Sequence, residues 1–162
     1  MDANLATQGY CLSAPERRAL SLGLRFSTGA CLALSATALA AGSATAFAGL
    51  SVIGFAAGFG SRHPFDYVWN GAVRHLVGAP ELPTSPARRR HAFKVATAMM
   101  LVIAGLFAIG AQTAAVIVGV SLLAACTAVT VANFCVPSVA LSLIERVRAS
   151  PRASSVPPAR PS

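Results

Sequence analysis

Two long apolar blocks with one polar stretch between them set the pattern of this chain. Phe26 to Ser61 and Val95 to Ile144 contain no Asp, Glu, Lys, Arg or His. A helix of a soluble bundle carries charge on its outward face every turn or so, and these blocks carry none. One helical crossing of a bilayer takes roughly 20 residues, so each block has the length of two crossings and a turn. The pattern predicts spans at about 20–41, 44–60, 93–110 and 113–136, paired as two hairpins that turn at Gly42-Ser43 and Gly110-Ala111. Gly54 and Gly58 in the second span have the spacing that lets helix backbones approach closely, and packing within the chain is the expected use.

Between the blocks the periodicity changes. Phe65, Val68, Trp69, Ala72, Val73 and Leu76 recur at helical spacing with polar residues on the other face. This predicts an amphipathic helix over 64–77 lying in the membrane interface, with Tyr67 and Trp69 at headgroup depth. Pro64 suits the first helical position and Asp66 the positive end of the helix dipole. Gly78 to Pro86 then interrupts regular structure. After Pro137, Ser138 to Val147 predicts a second short interfacial helix. The first 15 residues read as a loose segment and 148–162, rich in Pro, Ser, Ala and Arg, as a disordered tail. The expected fold class is all-α: a polytopic membrane protein with four transmembrane helices and two interfacial helices. Pro15-Glu16-Arg17-Arg18 and Pro86-Ala87-Arg88-Arg89-Arg90 precede the two hairpins in similar places. A duplication would relate the halves about the membrane normal, though four amphiphilic helices also converge on such a pattern.

Composition agrees with this. Hydrophobic residues make up 55% of the chain and charged residues 11%, against roughly a quarter charged in soluble domains. The formal net charge of +8 invites a nucleic-acid reading, but no aromatic residues interleave with the Arg run as a binding surface would require. All basic residues fall within Glu16–Arg25, Arg62–Lys94 and Arg146–Arg160, and the two hairpin turns have none. Retention of Lys and Arg on the cytoplasmic side puts both termini and the stretch 61–92 inside, and both turns outside. The N-terminal region also resembles a secretory signal, with small-residue sites such as Ala38-Leu39-Ala40, but its apolar run is long for a signal core.

The candidate chemistry is sparse. Cys11, Cys31, Cys126 and Cys135 show neither CxxC nor zinc-site spacing, and on the cytoplasmic side thiols stay reduced. Cys135, at a helix end and within reach of His63, reads either as an activated thiol or as a small packing residue. His63, His75 and His91 fit no metal pattern with Cys135, so no metal and no cofactor are expected. The cytoplasmic motif is His63, Asp66, Asn70, Arg74, His75, Arg88, Arg89 and Arg90, with Asp66 expected to pair with Arg74 or His75. Inside the membrane, Ser27, Cys31 and Ser35 form a polar stripe on the first span, and Cys126, Thr130 and Asn133 one on the fourth. Such stripes either hydrogen-bond helices together or line a narrow path. No ionisable side chain lies deep in a span, which weighs against ion-coupled transport.

The motifs Gly60-Ser61-Arg62-His63-Pro64-Phe65-Asp66-Tyr67, Arg74-His75-Leu76 and Leu82-Pro83, with the exit Cys135-Val136-Pro137-Ser138, resemble those of domain-of-unknown-function family 4395. The resemblance runs from about Ala14 to Val147. It implies a four-helix integral protein of the bacterial cytoplasmic membrane without an established activity. It also implies proximity to thioredoxin-like or rhodanese-like proteins, hence to thiol or sulfur chemistry. Some relatives carry a second cysteine near the one at the fourth-span exit, where this chain has Ser138. Three functions are therefore expected in order. The first is a non-enzymatic accessory or scaffold protein that presents the central stretch to a cytoplasmic partner. The second is an oligomeric channel or carrier for a small neutral or sulfur-containing solute, which makes a homo-oligomer a candidate assembly. The third is a membrane thiol oxidoreductase using Cys135.

Overall fold

Helices α1 (Ala14–Ala40), α2 (Ala44–Phe59), α3 (Pro64–Val77), α4 (Ala87–Ala108), α5 (Gln112–Ala132) and α6 (Val136–Ala149) make up the architecture of the computed structural model. The structure describes residue 5, residues 8–132 and residues 134–149, and no strand occurs among them. The tail expected over 148–162 falls outside these residues beyond position 149, and so does Asn133; positions 148 and 149 continue α6.

The turn chemistry is the expected one. Gly42 and Gly110 take φ of 58° and 77° at the tips of the two hairpins, a conformation that costs a residue without Cβ nothing. Ser43 caps α2 by accepting from the Ala46 amide at 3.2 Å. Ser13 caps α1, its amide donating to the Glu16 carboxylate at 2.8 Å.

α1, α4 and α5 are long and apolar enough to cross a membrane. α2 is shorter, with 16 residues, and so spans about 24 Å. It then bends by 79° into α3. The bundle packs α2 closely on α4, α4 on α5 and α5 on α1, while α1 and α2 touch less. Gly54 and Gly58 are where α2 meets α4: a Cβ on Gly54 would lie 2.5 Å from the Thr97 hydroxyl, and one on Gly58 2.9 Å from the Lys94 side chain. Phe47, Leu50, Met100, Ile103, Phe107 and Leu122 fill the centre. The outside is also apolar, with Val52, Phe55, Leu101, Ile117 and Val120 more than half exposed. A chain with an apolar core and an apolar exterior has lipid, not water, as its solvent.

A second cluster lies beside the polar stretch. Leu5, Tyr10, Leu20, Leu24, Trp69 and Leu82 are all buried there. This corrects two expectations. The segment before α1 is not loose where it is described, because Leu5, Gln8 and Tyr10 are buried. Trp69 is not on the lipid-facing surface: it packs under α1, where Gly23 leaves room for the indole. A π-turn over Trp69–Val73 follows, which adds a residue to one turn and rotates everything after it. The expected single apolar face is split. Trp69 points inward, while Val68 and Leu76 point out and Leu76 is 86% exposed.

Candidate functional site

His63 sits at the N-cap of α3 because Pro64 fixes the start of the helix one residue later. Its ring nitrogen Nδ1 accepts the Phe65 amide at 3.2 Å, and its own amide donates to Asp66 Oδ2 at 3.1 Å. Asp66 thus closes the first turn of α3, and its other oxygen accepts the Ser27 hydroxyl of α1 in a short hydrogen bond. His63 and Asp66 are each 1% exposed.

The bond to Nδ1 fixes the tautomer. Nδ1 must keep its lone pair, so the proton of the neutral ring is on Nε2. Nε2 points to the Cys31 sulfur at 3.5 Å. The imidazole is packed against the rings of Phe65 and Phe93, with centroids at 5.4 and 4.8 Å. Burial pushes His63 down to about 4, the Asp66 charge opposing and the Arg89 charge adding to the effect.

Arg89 is the inward member of the Arg88-Arg89-Arg90 run. It is buried, donates to the Tyr10 hydroxyl in a short bond, and lies over the rings of Tyr10 and Phe93 at 5.7 and 5.4 Å. Arg88 and Arg90 remain half exposed. The Asn70 carboxamide clamps the loop before α4, accepting the Leu82 amide at 2.8 Å and donating to the Leu82 carbonyl at 3.3 Å. Trp69 Nε1 donates to the Pro80 carbonyl at 3.4 Å.

Arg74 and His75 belong to the outer surface, not to this interior. Arg74 pairs with Glu81 at 3.4 Å, and Arg62 holds the same carboxylate at 2.8 Å. The Arg62 hydrogen bond and charge, with a smaller contribution from Arg74, hold Glu81 below the usual carboxylate range. The expected pairing of Asp66 with Arg74 or His75 is therefore replaced: Asp66 faces α1, and Arg74 meets Glu81 across the loop. Eight residues along one helix put Asp66 about 12 Å from Arg74 along the axis, whereas the loop after α3 brings Glu81 back to it.

The two intramembrane stripes face each other in part. Ser27, Cys31 and Ser35 lie on the inner side of α1, with Ser27 and Ser35 fully buried. Thr130 donates to the Cys126 carbonyl of its own helix at 2.8 Å. Cys31, Cys126 and Cys135 line one cavity together with His63, Arg89 and Phe93. Its walls are almost wholly apolar, and Ser27, Ser35 and Thr130 are not among its lining. Cys135 is 5% exposed, and the imidazole expected beside it approaches Cys31 instead. The partnership of Tyr10 with Arg89 has no signal in the sequence, and that of Ser27 with Asp66 has one, a hydroxyl at helical spacing from Cys31. No group of three or more His, Cys, Asp or Glu side chains suited to a metal ion occurs among the described residues.

This is a helical membrane protein with a buried polar junction at one end of its bundle. The family model described as a domain of unknown function (DUF4395) matches residues 21–146, and the chain belongs to that family. No curated protein and no solved structure is similar to it.

Proposed function

We propose that this protein is a four-span accessory protein of the bacterial cytoplasmic membrane that presents its 61–92 stretch to a cytoplasmic partner. The charge map supports the orientation, since the hairpin tips carry no basic residue. α2 is the short fourth span. Lys94, over the Phe59 ring at 4.3 Å, and the interfacial α3 let it reach the headgroups.

The observation that carries the reading is how the stretch is held. Ser27 holds Asp66 to α1, Trp69 packs on Phe26 and Gly23 of the same helix, Arg89 bonds Tyr10 ahead of α1, and Asn70 ties α3 to the Leu82 loop within the stretch, while Arg62, Glu81 and Arg74 form a charged row on its outer side. Tyr67 and Leu76 stand exposed beside that row. A fixed surface with an aromatic, an aliphatic and several cations suits a protein partner better than a purely lipid contact. The thioredoxin-like or rhodanese-like class implied by the sequence resemblance is the first partner to test. Burial of Cys135 supports this reading over thiol exchange at the surface, which needs access to the sulfur.

A photo-crosslinking amino acid at Leu76 in native membranes tests it. Adducts to one protein, lost on Arg62→Glu with Arg74→Glu while the chain stays folded, are the expected result. Adducts to lipid alone would overturn the proposal. Cysteines placed at Ser43 and Gln112 should label from outside intact cells and one placed at His91 should not; the reverse pattern would overturn the orientation.

A further inference from the structure

The thiol-lined cavity has a volume of about 110 Å³ and lies among α1, α2, α4 and α5 next to the polar junction. An apolar cavity of about 150 Å³ takes a benzene molecule and stays free of water; at about 110 Å³ this one is smaller, and it takes a single small ring only with part of that ring at the mouth beside exposed Val95. Met99, Met100 and Leu122 line it, and so does Val95, which is half exposed on α4 and so brings the cavity to the outer surface of the bundle.

One polar group is aimed into this space in an unusual state. His63 is buried and its Nδ1 is used by the cap, so Nε2 presents an N–H. The partner of that N–H among the described residues is the Cys31 sulfur at 3.5 Å, and a thiol sulfur is a weak acceptor. A buried donor so poorly matched gains from a stronger acceptor, because the water it left behind is not replaced. The walls decide what kind of acceptor. They are almost wholly apolar apart from Arg89, whose guanidinium is already engaged by the Tyr10 hydroxyl and lies over the Tyr10 and Phe93 rings, so bringing a ligand's charge into them is costly.

We propose that this cavity binds a neutral, lipid-soluble carbonyl compound the size of one six-membered ring, its oxygen accepting from His63 Nε2–H and its ring against Met99, Met100 and Leu122. The carbonyl displaces the Cys31 sulfur as acceptor. The thiols serve as soft, polarisable walls, and no bond to sulfur forms.

The test uses the full chain in nanodiscs and two fluorinated probes of nearly equal shape, 4,4-difluorocyclohexanone and 1,1-difluorocyclohexane. Saturable fluorine NMR line broadening, displaced by excess cyclohexanone, gives a dissociation constant for each. The ketone should bind about five-fold more tightly, the worth of one net hydrogen bond. His63→Asn keeps a side-chain oxygen for the Phe65 amide but removes Nε2–H, and it should bring the ketone down to the hydrocarbon. Equal binding of the two probes by the native chain would mean an apolar void without a carbonyl site and would overturn the proposal. So would the absence of saturable broadening, or a ketone preference that survives His63→Asn. If His63→Asn does not fold, the ratio between the two probes on the native chain decides alone.

Discussion

The Ser27 hydroxyl on α1 donates to the Asp66 carboxylate in the first turn of α3, and through this bond the polar stretch is fixed to the membrane bundle. Both groups are fully buried, so neither has water as an alternative partner. A hydrogen bond to a charged group is worth about 1.5–3 kcal/mol. Ser27→Ala should lower stability in detergent by that amount, measured by thermal unfolding. Asp66→Ala should cost more, because it also removes the acceptor for the His63 amide. Arg74→Ala should change stability by about 1 kcal/mol or less, since its partner Glu81 is exposed. Equal effects of Asp66→Ala and Arg74→Ala would show that the two still act as a pair.

Stability should depend on His63 protonation, and the sign follows from its lowered value. The unfolded chain binds a proton at His63 near the ordinary value of 6.5, and the folded chain only near 4. Between these values the unfolded state holds more protons, so stability falls as pH drops through that window and levels off below it. Above about 6.5 the contribution is fully present. His63→Asn should flatten this part of the stability–pH curve. A curve for His63→Asn with the same slope as the native protein between pH 6.5 and 4 would assign the dependence to other groups.

Thiol accessibility separates the four cysteines. Cys11 is exposed and Cys135 buried, so a water-soluble maleimide should modify Cys11 at least ten-fold faster than Cys135 in native membranes, as read by peptide mass spectrometry. Modification needs an accessible thiolate. Comparable rates at Cys135 and Cys11 would restore the reading of Cys135 as a surface redox thiol.

Two glycines make opposite predictions. A Cβ on Gly23 would fall 2.7 Å from the Trp69 ring and 2.9 Å from Leu82, so Gly23→Ala should destabilise by about 1–3 kcal/mol through overpacking. Gly49 has nothing within 4 Å of such a Cβ, and Gly49→Ala should stabilise by about 0.5–1 kcal/mol through helix propensity alone. Thermal midpoints of the two variants measured side by side check both. A neutral Gly23→Ala would mean that Trp69 is not seated against α1.

The sequence by itself determined where the helices lie, because periodicity, glycine turns and the absence of charge are local properties that no packing overrides. The hairpin tips at Gly42 and Gly110, the cap at Pro64 and the Gly54/Gly58 contact face follow from residue type and spacing. Only the tertiary structure decided which polar groups meet. Asp66 lies 39 positions from Ser27, and Arg89 lies 79 from Tyr10. No spacing rule connects such pairs; they are set by the antiparallel register of the bundle. The π-turn over Trp69–Val73 added a rotation that the regular helical period does not contain. It changes which residues after it share a face with those before it. His63 met Cys31 instead of Cys135 because a ring held at a helix cap reaches whatever neighbouring helix the packing brings to it.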